Sequence, residues 1–137
     1  MASIPEEAWE ALKALDPLIY FGDVWWLPAH VVNGFGDGKD RFCVILGWEV
    51  DADGNRTRVC VTAGTSQGAS QPRLEVAPGE AELKKKTTFW LPVFEWVSPA
   101  DVDRYGRFVG RLDDVRKEEL RRVIGDASIA VLKGLRR

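Results

Sequence analysis

The sequence predicts an α+β domain, mainly β, built as a small barrel of five or six short strands with a helix at each end. Three observations lead there. Short runs rich in β-branched and aromatic residues recur at hairpin spacing. Gly, Asp and Asn clusters punctuate them. A 3.6-residue apolar period shows only near the two termini.

At the N-terminus, Ser3-Ile4-Pro5-Glu6 fits a capping box, and Ala8, Leu12 and Leu15 follow a helical stripe. A helix over about 4–15 is expected, ended by Asp16-Pro17. Residues 1–20 read as a helical extension to a barrel and C-terminal helix over 22–135. "DVWWLPAHVV" (23–32) is strand-like and interrupted by Pro28. "NGFGDGKD" (33–40) is a glycine-rich loop. "RFCVILGWEV" (41–50) is a buried strand, and "DADGN" turns it into "RTRVCVTAG" as a hairpin. "SQGASQP" (66–72) is a second loop, "RLEVA" (73–77) a short strand and "PGEAELKKK" a polar connection. "TTFWLPVFEWVSP" (87–99) holds one or two strands, with Pro92 at an edge or bulge. "DVDRYGRFVGR" reads as irregular and basic. From Asp113, a plausible N-cap, Leu120, Val123, Ile124, Ala127 and Val131 form the stripe of a last helix.

Composition narrows the function. With 45% hydrophobic and 29% charged residues, 137 residues can bury a core, so disorder is excluded as the general state. A net charge of -2 rules out a protein coated in positive charge, while leaving room for a local basic patch. Cys43 and Cys60 sit in apolar strands and read as buried free thiols. With the lone His30 they offer no metal spacing, so no metal or cofactor is expected. No apolar run is long enough to span a bilayer, and the chain reads as cytoplasmic, without a secretory leader.

The residues with chemical potential each have a plainer alternative. Thr65 and Ser66, between Gly64 and Gly68, either hold a phosphate through hydroxyls and backbone amides or form an ordinary turn. Arg41 either meets an anion with its planar fork or flanks a strand as a solvated charge. Lys84-Lys85-Lys86 is either a solvated run or, with Arg73, Arg104 and Arg107, a face for an RNA backbone. His30 is a candidate acid or base by residue type, but it stands alone, with no second His. Among the tryptophans, Trp25, Trp26 or Trp48 is a candidate for stacking on a base.

The order of these pieces resembles the MazF/PemK family of bacterial toxins. The resemblance runs from about Gly22 to the C-terminus. It rests on Gly22-Asp23-Val24, on Gly34 and Gly38 before Arg41, on Thr65-Ser66-Gln67 with Pro72 and Leu74-Glu75-Val76, and on Gly110 with Leu112-Asp113-Asp114. It implies an SH3-like barrel, a homodimer, and a metal-independent endoribonuclease that cuts single-stranded RNA and is held by a cognate antitoxin. It implies Arg41 and Thr65 as the residues at the scissile phosphate. The residues expected to contact RNA are Ser66, Gln67, Asp37, Lys39, Arg73 and Lys86, with Asp37 and Asp40 also available as proton acceptors. The sequence departs from the family pattern at Phe42, where Pro usually follows the Arg, and at Phe94, where a polar residue is usual. The alternative is an SH3-like barrel that binds a protein partner or RNA without cutting.

Overall fold

The structure is a computed structural model that describes residues 19–32, 38–65, 73–91 and 93–135, with side chains as far as residue 126. The expected N-terminal helix lies outside the described residues, as do Ser66, Gln67, Asp37 and Pro92. The described strands are β1 (Asp23–Leu27), β2 (Arg41–Val50), β3 (Arg56–Thr65), β4 (Arg73–Val76), β5 (Thr87–Trp90), β6 (Glu95–Val97) and β7 (Arg107–Arg111). Helices α1 (Pro99–Tyr105) and α2 (Asp114–Leu135) follow β6 and β7, and a 3-10 turn spans Glu80–Glu82. All pairings among these strands are antiparallel, in the order β4-β5-β3-β2-β1-β7, with β6 also on β3. The sheet curls into a half-barrel, so the expected mainly-β class with a C-terminal helix holds.

The central strands are apolar on both faces because both faces are covered. Val24 and Val44 point into a cluster with Leu74, Val76, Phe89 and Leu120. Their neighbours Trp25, Leu27, Cys43 and Ile45 point the other way, onto Val59, Val61, Val97 and Val102 of α1. This follows from the two-residue pleat: successive residues face opposite sides, so "VWWL" and "CVIL" feed two cores. Both cysteines are free and buried. Burial pushes the Cys43 thiol far up and the Cys60 thiol up to about 11, so neither is a reactive thiolate near neutrality.

β5 and β6 share one edge of β3. Gly64 and Thr65 pair with Phe89 and Thr88, whereas Val59, Cys60 and Val61 pair with Val97, Trp96 and Glu95. Where the chain leaves the ladder between them, the buried Thr62 hydroxyl lies 3.0 Å from the Trp90 carbonyl and 2.5 Å from that of Val93. One hydroxyl proton is thus shared between two carbonyls where the ladder breaks, and the Trp90 carbonyl also accepts the Val93 N–H at 3.3 Å. The 87–99 segment is two strands for this reason.

The stretch expected to be irregular is ordered. Pro99 stands in the first turn of α1, Asp101 supplies early negative charge, and Val102 is fully buried. The Gly106 N–H closes on Val102 O at 2.9 Å, and β7 then pairs with β1. A helix of seven residues with one buried side chain leaves no readable period. The alternation of β7 is also broken, by a register shift opposite Val24 and Trp25.

Asp23, the middle residue of Gly22-Asp23-Val24, ties the two ends of the barrel together. Its side chain is fully buried and accepts from Arg111 Nε at 2.6 Å and from the Tyr20 N–H at 3.0 Å. Beside it, the Leu112 N–H donates to Gly22 O at 3.1 Å. Arg111 is the only counter-charge for this carboxylate among the described residues. Its removal strands a buried anion, so Arg111→Ala is expected to cost about 3 kcal/mol in urea unfolding. A loss below about 1 kcal/mol would show that Asp23 is not held by this pair.

Candidate functional site

An open groove of about 710 Å³ lies where β2 begins and β3 ends. Its first side is the β2–β3 ladder. Cys43 pairs with Ala63, and beyond that pair the last residues of each strand, Arg41 and Phe42 on β2 and Gly64 and Thr65 on β3, line the groove. The half-buried Arg41 donates from Nη1 to Gly64 O at 3.3 Å, which orients the guanidinium from across the ladder. Gly64 is required by close packing. A Cβ there would lie 2.3 Å from the Thr87 methyl and 3.0 Å from the Phe89 ring.

The second side is the segment from Glu82 to Thr87, set in place by the 3-10 turn. Ala81 and Glu82 take left-handed backbone with φ of 50° and 61°. The turn descends onto β7 at Gly110, where a Cβ would meet the Ala81 carbonyl oxygen at 2.1 Å. From α2, Arg116 grips Glu80 with two hydrogen bonds of 2.8 Å and reaches Glu119 at 2.7 Å. The helix start that presents Arg116 is capped by Asp113, which accepts its N–H at 2.8 Å. Leu83 is then buried, and Lys84, Lys85 and Lys86 emerge along the groove. The Thr87 hydroxyl donates to Lys85 O at 3.1 Å and fixes where that run ends.

Five cations, Lys39, Arg41, Lys84, Lys85 and Lys86, face two acids here, Asp40 and Glu82. The groove is therefore basic in a chain of net charge -2. Asp40 accepts the Ala29 N–H at 2.9 Å, which ties the end of the glycine-rich loop to the turn after β1. Among the described residues, no group of three His, Cys, Asp or Glu side chains is placed to hold a metal ion.

Of the expected site residues, Arg41, Thr65, Lys39 and Lys86 line this groove together. Arg73 does not; it lies on β4, 3.3 Å from Glu75. Asp37, Ser66 and Gln67 fall outside the described residues. His30 packs edge-on against Tyr105 at 4.6 Å, and Arg104 lies over the same ring; neither lines the groove. Trp25 is buried, and Arg56 covers Trp48 at 3.9 Å. Glu82, Leu83, Thr87 and Val109 line the groove without having been singled out. The hydroxyl-led "TTFW" was the available signal for Thr87. Nothing local marks Val109, which the β7 irregularity delivers.

No family model matches the chain, and no curated protein matches it. Solved structures do. The Mycobacterium tuberculosis toxin MazF-mt6 is similar over 77% of this chain and 94% of its own, with a TM-score of 0.57 and 20% identity. The crystal structure of MazE-MazF from Deinococcus radiodurans is similar over 81% of this chain and 95% of that one, with a TM-score of 0.53 and 16% identity. At these identities the likeness is one of architecture: the chain has a MazF-like fold. Also, no helix among the described residues is long and apolar enough to cross a membrane.

The Glu80–Arg116 clamp makes the groove's second side sensitive to acid. Arg116 beside Glu80 holds its carboxyl below the usual carboxylate range. A depressed folded value contributes stability above the unfolded value of about 4.3, lost as pH falls through the folded one. Glu80→Gln is expected to cost roughly 1 kcal/mol at neutral pH and to lose less than wild type on acidification. Urea unfolding of both proteins at pH 7 and in acid checks this. Equal pH dependence would contradict it.

Proposed function

We propose that the groove binds single-stranded RNA and cuts it as a metal-independent endoribonuclease, the toxin of a toxin–antitoxin pair. One observation carries this reading: Arg41 and Thr65 line one basic groove from adjacent strands, β2 and β3. Five cations in one concavity supply the sequence-independent attraction that a phosphate backbone needs. The solved relatives named MazF add weight through fold, and the MazE-MazF complex supports an antitoxin partner for this chain as well. We assign the protein to the cytoplasm as a homodimer, without a resident cofactor.

The step is transesterification at phosphorus. The 2′-oxygen attacks the adjacent phosphorus, its proton passes to a carboxylate, and the bond to the 5′-oxygen breaks. That oxygen takes a proton from water entering the open groove. The products are a 2′,3′-cyclic phosphate and a 5′-hydroxyl. Arg41 presents a planar cationic fork, so its role is to stabilise charge on the phosphorane oxygens. Thr65 donates its hydroxyl to the same phosphate. Asp40 and Glu82 are the carboxylates lining the groove, and they serve as the proton acceptors in this proposal. Ser66, Gln67, Asp37 and Lys39 would follow the strand on either side, and Lys86 its backbone. Arg73 would act only at a longer reach, from β4.

A second reading keeps RNA or protein binding without cleavage. It is motivated by Phe42, an aromatic residue directly after Arg41 in the groove. One assay separates the two. Purified protein incubated with single-stranded RNA in EDTA should cut it, and Arg41→Ala should slow cutting by about 100-fold or more, Thr65→Ala similarly. Intact RNA with wild type, or equal rates for wild type and Arg41→Ala, would leave the binding reading.

A further inference from the structure

Phe42 is 43% exposed inside a groove whose other strand residues are buried or half-buried, an unusual place for a large apolar ring. It pairs across the ladder with Trp26, so the two rings project from the same face. Trp26 is half-buried, and the Arg107 guanidinium lies 5.0 Å from its ring centroid. Trp26 and Phe42 thus form a pair across β1 and β2, with a cation over the Trp26 ring. Gly64, near the end of β3, adds no side chain to the groove beside Phe42. Along the chain, Phe42 directly follows Arg41.

We infer that Trp26 and Phe42 form a stacking platform for an unpaired nucleobase of single-stranded RNA, next along β2 from Arg41. The inference rests on the RNA reading above and adds a base-contacting subsite to it. An aromatic ring offers its face to any base, and Arg107, over the Trp26 ring, adds a cationic partner. Phe42 lines the groove together with Lys39, Arg41, Lys84, Lys85 and Lys86, and this charge favours a nucleotide over an apolar peptide. Phe42 is a binding residue in this account. Trp26 and Arg107 position it and extend its surface.

The test uses the full chain and an end-labelled, randomised single-stranded RNA carrying 2′-O-methyl groups, which cannot attack their own phosphates. Anisotropy titrations over a range of salt give both affinity and salt slope. Phe42→Ala is expected to weaken binding about tenfold with the salt slope unchanged, because a stacking contact releases no counterion. Phe42→Tyr, which keeps the ring, restores affinity. Lys85→Ala, in contrast, lowers the slope by about 0.7. Wild-type affinity in Phe42→Ala, or a slope that falls as in Lys85→Ala, overturns the platform while leaving RNA binding intact. Absence of RNA binding by wild type overturns the platform together with the ribonuclease reading.

Discussion

The approach of the Ala81 carbonyl to Gly110 governs the geometry of the groove. Only a residue without Cβ lets the 3-10 turn rest on β7 at that distance. The turn itself is unfavourable, since Ala81 and Glu82 take left-handed backbone at about 1–2 kcal/mol each. Burial of Leu83 and the two-pronged grip of Arg116 on Glu80 offset that cost. The result is positional. Three lysines that would otherwise be a solvated run are carried to the side of the groove facing Arg41 and Thr65.

The two sides are stiffened by different means, which suits a site that must hold a charged polymer. The strand side is a hydrogen-bonded ladder with Gly64 packed against Thr87 and Phe89, and it orients Arg41 through the Gly64 carbonyl. The lysine side is exposed and held by buried Leu83, by the Thr87 hydroxyl and by the approach of Lys86 Nζ to Glu75 at 3.7 Å. A fixed guanidinium favours a defined phosphate geometry, while adaptable ammonium groups favour a backbone of any sequence.

Much of this was legible in the sequence where local chemistry and tertiary role agree. The β2–β3 hairpin reads from apolar strands around "DADGN", and there the Asp51 N–H does bond Asn55 O at 2.9 Å. Asp113 reads as an N-cap and acts as one. Arg41 and Thr65 read as partners through resemblance, and both line the groove. What stayed hidden depends on contacts distant in sequence. The 3-10 turn exists because Gly110 and Arg116 receive it, some thirty residues on. β7 is a strand because β1 pairs with it, despite its broken alternation. Val109 enters the groove only through that break. Phe42 reads as a departure from a pattern, and only its exposure beside Trp26 gives it a candidate role.

The central claim is that the groove promotes attack by an RNA's own 2′-oxygen at a phosphate held by Arg41. Analysis of the ends left on a cut RNA tests it most directly. The account predicts 5′-hydroxyl and 2′,3′-cyclic phosphate termini, and no cut 3′ to a ribose whose 2′-hydroxyl has been replaced by hydrogen. Termini bearing a 5′-phosphate and a 3′-hydroxyl, or cutting that persists at the deoxy position, would contradict it.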